Sequence, residues 1–366
     1  MTNSKVVDFF HTLLSFSLDS NNSAPTEALT AGEWSELYRI AEKQNVTALL
    51  TSGIEGLENN LRPPNILIRQ WIISAEMIRN RNIIMNKTSR QIQEKLSEDG
   101  IRSCLLKGQG VASYYPDPYK RMSGDIDLWI DCDRKEFVSY IRERFPKCSI
   151  KYKDIDILTD NGIEVEFHFI PAIFYNYFHN ARLLKFFREN KEEQFSNIVH
   201  IGSEKLPVCA PTCNFNRIYL LIHLFSHYLY EGIGLRQFVD YYFLLKKGFT
   251  EEEKAQYVKT ISTLGLSKFA AAVMYVLTRC FGMKDNLLPV SPDANEGKLL
   301  LKEIMHGGNF GIYNANNKNI KPYSAAAFFQ HTARNARYIK SYPTEVISTP
   351  IFKVWHYCYR KSNGYI

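Results

Sequence analysis

The stretch Arg121-Met-Ser-Gly-Asp-Ile-Asp-Leu-Trp-Ile-Asp131 decides how this 366-residue chain is read. From Asp125 onward it alternates acidic and apolar residues, with Trp129 in the acidic row. Alternation with a period of two is the signature of a strand. Asp125, Asp127, Trp129 and Asp131 then share one face, and Ile126, Leu128 and Ile130 share the other. Upstream, Arg102-Ser-Cys-Leu-Leu-Lys107 reads as a short buried strand ending in Gly108-Gln109-Gly110. Residues 108 to 115 suggest a short helix, and 116 to 124 a turn-rich loop. Downstream, Asp133 is placed to cap a helix through Phe145. Two strands follow, about 149 to 158 and 163 to 170, joined by the tight turn Asp160-Asn161-Gly162.

Further out the pattern is helical on both sides. Apolar residues recur at helical spacing from Val6 to Phe16, and Thr30 with Glu33 forms a capping-box pattern opening a second helix. A long helix is expected from about Asn65 to Glu98, stopped by Gly100. Beyond Pro171, helices are expected near 213 to 231, 235 to 247, 250 to 263, 266 to 281, 296 to 306 and 324 to 340, with a short hairpin from Ile198 to Cys209. The expected fold class is α+β: a small mixed sheet between N-terminal and C-terminal helical lobes. The expected divisions are residues 1–99, a helical region; 100–172, an α/β core; and 173–366, mainly helical with the hairpin near 198–209.

Composition narrows the classes of function. With 45% hydrophobic and 23% charged residues, the chain is an ordinary globular one. A net charge of +7 favours anionic ligands, but there is no block of like charge or Arg-rich arm, so nucleic acid is not an expected partner. Seven scattered cysteines argue against a disulfide framework and for a reducing compartment. The N-terminal stretch reads as an amphipathic helix and not a signal peptide, and the most apolar run, Ile218 to Tyr230, is too short to span a bilayer. A cytoplasmic protein with no membrane partner is expected.

The acidic strand face carries the chemistry. Two carboxylates roughly 5 Å apart repel by about 3 kcal/mol at an effective dielectric of about 20, so a buried pair calls for a counter-charge. A divalent cation would supply it, and a third carboxylate on Gly162-Ile-Glu-Val-Glu-Phe-His168 could close the set, with Glu164, Glu166 and His168 on a common face. The rival account is a solvated strand face. Asp-x-Asp alone is weak evidence, since Asp154-Ile-Asp156 repeats it. Only the first copy follows a strand, a Gly-rich turn and a short helix, the order that offers backbone N–H groups to phosphate.

Leu105-Leu-Lys-Gly108, Tyr115-Pro-Asp-Pro118, Arg121-Met-Ser-Gly-Asp-Ile-Asp-Leu128 and Glu164-Val-Glu-Phe-His168 together resemble the uncharacterised bacterial nucleotidyltransferase family within the DNA polymerase beta superfold. The similarity continues through His223-Leu-Phe-Ser-His227 and Gly234-Leu-Arg-Gln-Phe-Val-Asp240. The resemblance implies a nucleotidyltransferase core using Mg2+ or Mn2+ and an NTP such as ATP. On it, Asp125, Asp127 and Glu166 are the catalytic, metal-binding acids, with Glu164 the alternative third. The turn at Gly108 would cradle the triphosphate, with Lys107, Gly108, Gln109, Gly110, Arg121 and Gly124 as the contact set. Gln109 stands where a Ser commonly follows the glycine, and the segment from Gly108 to Asp125 is longer than usual.

The implied reaction moves an NMP group from the NTP to a small-molecule, sugar or protein acceptor with release of pyrophosphate, and asks for no separate protein base. The alternative is a catalytically weak, nucleotide-binding regulatory protein of the same fold, a partner of toxin–antitoxin type. His168 is expected to support the acids by hydrogen bonding. His223 and His227, one helical turn apart without the Glu of a metalloprotease helix, are read as packing residues. Arg236 and Asp240 have the spacing of a helical ion pair.

Overall fold

Four helices open the chain: α1 (Ser4–Leu18), α2 (Ala31–Lys43), α3 (Thr47–Gly56) and α4 (Asn65–Glu98). The computed structural model describes residues 3–308 and 325–365. At the start of α2 the Thr30 hydroxyl accepts from the Glu33 amide and the Glu33 carboxylate accepts from the Thr30 amide, as the capping box predicts. The 34-residue α4 stops where Gly100 turns to φ +76°, a conformation that costs glycine little.

The centre of the chain supplies β1 (Arg102–Leu106), α5 (Gly108–Ala112), β2 (Ile126–Asp131), α6 (Arg134–Arg144), β3 (Ser149–Ile150), β4 (Asp154–Leu158) and β5 (Glu164–His168). The strands form one mixed sheet in the order β1-β2-β5-β4-β3. Only the β2–β5 pair is parallel among the described ladders of this sheet, and it sets Asp127 beside Glu166. The antiparallel β4–β5 pair, closed by the expected turn, sets Asp156 beside Glu166 and Asp154 beside His168. The single strand expected over 149 to 158 is two: Asp154 O accepts from the Lys151 amide, turning the chain between β3 and β4.

The rest is α7 (Tyr177–Ser196), the hairpin β6 (Ile198–Ile201) and β7 (Leu206–Cys209), then α8 (Cys213–Tyr230), α9 (Leu235–Leu245), α10 (Glu251–Thr263), α11 (Ser267–Phe281), α12 (Ala294–Gly307), α13 (Ala325–Ala336) and α14 (Pro343–Ser362). Residue 324, the expected start of α13, lies outside the described residues. Three helices were not individually read from the sequence: α3, α7 and α14. No described helix is long and apolar enough to cross a membrane.

Both faces of the sheet are covered. Ile126, Leu128, Ile130, Val165 and Phe167 pack with Phe137, Val138 and Ile141 of α6. On the acidic face, Trp129 meets Phe187 and Phe195 of α7 and Phe215 of α8, with ring centroids 5.0 to 6.0 Å apart. That cluster belongs to the same core as α1, α2, α8, α9 and α11. The acidic face is therefore roofed by helices, and Asp127 is 2% exposed. The solvated-face account does not hold.

Candidate active site

The acids of β2 and β5 open into a cavity of about 430 Å³ between the sheet and its helical roof. Its wall includes Lys107, Gly108, Arg121, Gly124, Asp125, Asp127 and Glu166. Two expected contacts lie elsewhere. Gln109 donates from Nε2 to Asn86 Oδ1 (2.5 Å) and Asn82 Oδ1 (3.2 Å), pinning the turn to α4. Gly110 packs so closely on Leu105 and Ala210 that a Cβ there would sit 3.1 Å from Ala210 Cβ. Glu164 is exposed at the opposite end of β5 and does not line the cavity, whereas Glu166 does.

Asp127 is the electrostatic centre. Its Oδ1 lies 2.8 Å from Lys107 Nζ and 2.8 Å from His168 Nε2. Burial opposes its charge, but the Lys107 ammonium and then the His168 hydrogen bond hold its carboxyl well below the usual range. Lys107 is pushed the other way: burial would discharge it, yet Asp127, with smaller help from Tyr219, Asp125 and Glu166, keeps it firmly protonated. The backbone bends to make this contact. Lys107 sits at φ +50°, a left-handed conformation that costs a non-glycine residue on the order of 1–2 kcal/mol.

Glu166 is raised above the usual carboxylate range by burial and by Asp127 beside it. Its Oε2 is 3.4 Å from His168 Nε2. One ligand atom each of Asp127, Glu166 and His168 gathers within 4.8 Å, and Asp154, Asp156 and Glu166 form a second such trio. Asp125 immediately precedes β2, is partly exposed, and belongs to neither trio. Asp131, the last acid of the strand, lies at the far end of the same face and is paired with Arg102 and Lys191.

The loop between turn and strand is held from α9. Arg121 donates from Nε and Nη2 to the two oxygens of Asp240, both at 2.8 Å, and Tyr115 Oη donates to the same carboxylate at 2.6 Å. Asp240 is thus bound across the fold to Arg121, while Arg236 donates to Met122 O at 3.1 Å and brings Nη1 to Gly124. The family-like segment after Gly234 is accounted for by this grip on the 116–124 loop.

Several wall residues were missed. Asp154 was set aside as a chance repeat, yet it lines the cavity with Lys151 and Lys153. His223 and His227, read as packing residues, are in the wall with Glu231. Phe352 and His356 come from α14, which is tied down by Glu345: its carboxylate accepts from the amides of Tyr175 (3.0 Å) and Asn176 (3.1 Å) and from Tyr230 Oη (3.1 Å). One signal was available for the helical set: His223, His227 and Glu231 recur every four residues, a single stripe of one helix.

No curated protein matches the chain. A solved structure titled as an antigenic nucleotidyltransferase-like protein from Paracoccidioides brasiliensis is similar at 13% identity, over 49% of this chain and 91% of that one, with a TM-score of 0.30. Residues 30–282, more than half of the sequence, match the family described as uncharacterised nucleotidyltransferase, and the chain belongs to that family.

Proposed function

We propose that the protein is a divalent-metal-dependent nucleotidyltransferase that moves an NMP group from an NTP, ATP being the natural first choice, to an acceptor hydroxyl with release of pyrophosphate. The observation that carries this reading is the buried Asp127 between Lys107 and His168, beside Glu166 and below Asp125. The donor set fits Mg2+ or Mn2+: the gathered carboxylates of Asp127 and Glu166, Asp125 on the same cavity wall, and an imidazole already in use as a support. Asp125, Asp127 and Glu166 are the proposed ligands. When bound there, the cation supplies neutralisation of phosphate charge and acidification of the attacking hydroxyl.

The chain's own groups do the rest. Lys107, the counter-charge of Asp127 in the metal-free protein, is free to turn to phosphate oxygens once the acids are neutralised. Gly108 and Gly124 leave room for a triphosphate against backbone, and Arg121, locked by Asp240, fixes the loop that carries Gly124. Gln109 and Gly110 hold the shape of the turn. The proposed catalytic unit is the 100–172 segment, with the flanking helical regions shaping the acceptor side, where a small molecule, sugar or protein hydroxyl fits better than nucleic acid.

The test is the double substitution Asp125→Asn, Asp127→Asn, followed by calorimetric titration with Mn2+ and ATP and by assay of Mg2+-dependent AMP release. Loss of both binding and turnover is expected. Unaltered titrations would overturn the proposal.

A further inference from the structure

His223 and His227 of α8 and Glu231, which caps it, form a line of close polar contacts. Glu231 Oε2 lies 2.8 Å from His227 Nδ1, and His227 Nε2 lies 3.1 Å from His223 Nε2. All three residues line the cavity that holds the acids. A carboxylate only accepts, so His227 Nδ1 carries a proton, and in the neutral ring Nε2 is a lone pair. His223 must then donate from Nε2, which leaves a lone pair on its Nδ1. Among the described residues, the one hydrogen bond of the His223 ring is that of its Nε2.

We propose that this line is a proton relay that takes the proton of the attacking hydroxyl, with His223 as the catalytic residue and His227 and Glu231 as positioning residues. The assignment rests on the nucleotidyl-transfer reading above. The acceptor O–H bond breaks and its proton goes to His223 Nδ1, while the Nε2 proton of His223 crosses to His227 Nε2. The acceptor oxygen forms its bond to the α-phosphorus, and the bond to pyrophosphate breaks with the electron pair leaving on pyrophosphate. The proton ends on an imidazolium paired with Glu231, and is later lost to solvent.

The surroundings favour this direction of travel. Burial, then Lys107, His227, Arg236 and Lys153, push His223 well below the ordinary imidazole range, so it passes a proton on and does not keep it. These groups come from the turn before α5, from α8 itself, from α9 and from the turn before β4, and His356 of α14 lines the same space. At the far end the Glu231 side chain is 60% exposed, and His227 beside it holds the carboxyl low, ready to pair with an imidazolium.

Water serves as the probe acceptor: Mg2+-dependent conversion of ATP to AMP and pyrophosphate is followed from pH 5.5 to 9. His223→Ala should lose about a hundredfold or more in rate, with Mn2+ and ATP binding retained, and added imidazole should restore part of it. Glu231→Gln should move the acid limb of the profile to lower pH, because the imidazolium loses its partner. An unchanged rate in His223→Ala, or a loss that imidazole does not touch, overturns the relay while leaving the metal reading intact. Failure of Asp125→Asn, Asp127→Asn to abolish binding sinks the metal reading alone. Independently of turnover, long-range 1H–15N spectra of 15N-histidine protein should place the proton on Nε2 of His223 and Nδ1 of His227. A proton on Nδ1 of His223 at neutral pH overturns the relay.

Discussion

The same tripeptide, Asp-Ile-Asp, leads into β2 at 125–127 and stands on β4 at 154–156, and the two copies are balanced in different ways. Asp154 and Asp156 find cations inside their own hairpin: Lys153 Nζ is 2.5 Å from Asp154, and Lys151 Nζ is 2.6 Å from Asp156 and 3.8 Å from Asp154. No more than five residues of chain separate any of these partners. Asp127 takes its partners from a distance, Lys107 from a strained turn and His168 from a neighbouring strand. The second pair thus has two lysines of its own hairpin for its two acids. A buried acid neutralised by a single lysine from elsewhere, with Glu166 raised toward protonation beside it, is short of positive charge.

The largest expected difference lies in turnover. Asp127→Asn should lower Mg2+-dependent AMP release by about two orders of magnitude or more, whereas Asp156→Asn should stay within about threefold. Equal losses would mean that both trios sharing Glu166 hold metal, and the contrast would fall.

A smaller difference is expected in stability. Lys107→Met leaves Asp127 buried without its cation and should cost the metal-free protein about 3 kcal/mol, recovered in part by millimolar MgCl2. Lys151→Met, at a side chain 29% exposed, should cost under about 1 kcal/mol and be indifferent to magnesium. Thermal unfolding with and without MgCl2 reads both, and a magnesium-insensitive loss in Lys107→Met would break the distinction.

The smallest effect is the pH dependence of the second copy. Burial raises the Asp154 carboxyl, but Lys153, His168 and Lys151 together bring it below the usual range. A carboxyl lowered on folding contributes stability that is present above its unfolded value of about 4 and lost as pH falls through the folded one. Asp154→Asn should therefore flatten the fall in unfolding midpoint below about pH 4. An unchanged slope would show that Asp154 is not held charged by its lysines.

Local pattern carried most of the fold. The alternation of 125–131, the caps at Thr30 and Asp133, and the stops at Gly100 and 160–162 each act within a few residues, and each element formed where they indicate. Elements without such marks were harder. Residues 47–56 have no side-chain cap and are buried on most sides, with polar and apolar residues mixed, and 343–362 carries Pro350 in its interior, so neither announced a helix. The site divided in the same manner. Asp125, Asp127, Glu166 and Lys107 could be named because they lie in or beside strands with clear periodicity. Arg121 could be named as a cation near the turn, but its partner Asp240 lies 119 residues away and cannot be read from spacing.

From the sequence alone came the α+β class, the acidic strand face, Glu164 and Glu166 as candidate neighbours to it, and the family, because periodicity and motif spacing are properties of neighbouring residues. Only the tertiary structure decided that this face is roofed by helices, that Lys107 and His168 close on Asp127, and that His223, His227 and Glu231 line the same cavity. Those facts depend on which elements pack together, and packing is chosen by the whole core at once, not by any stretch of it.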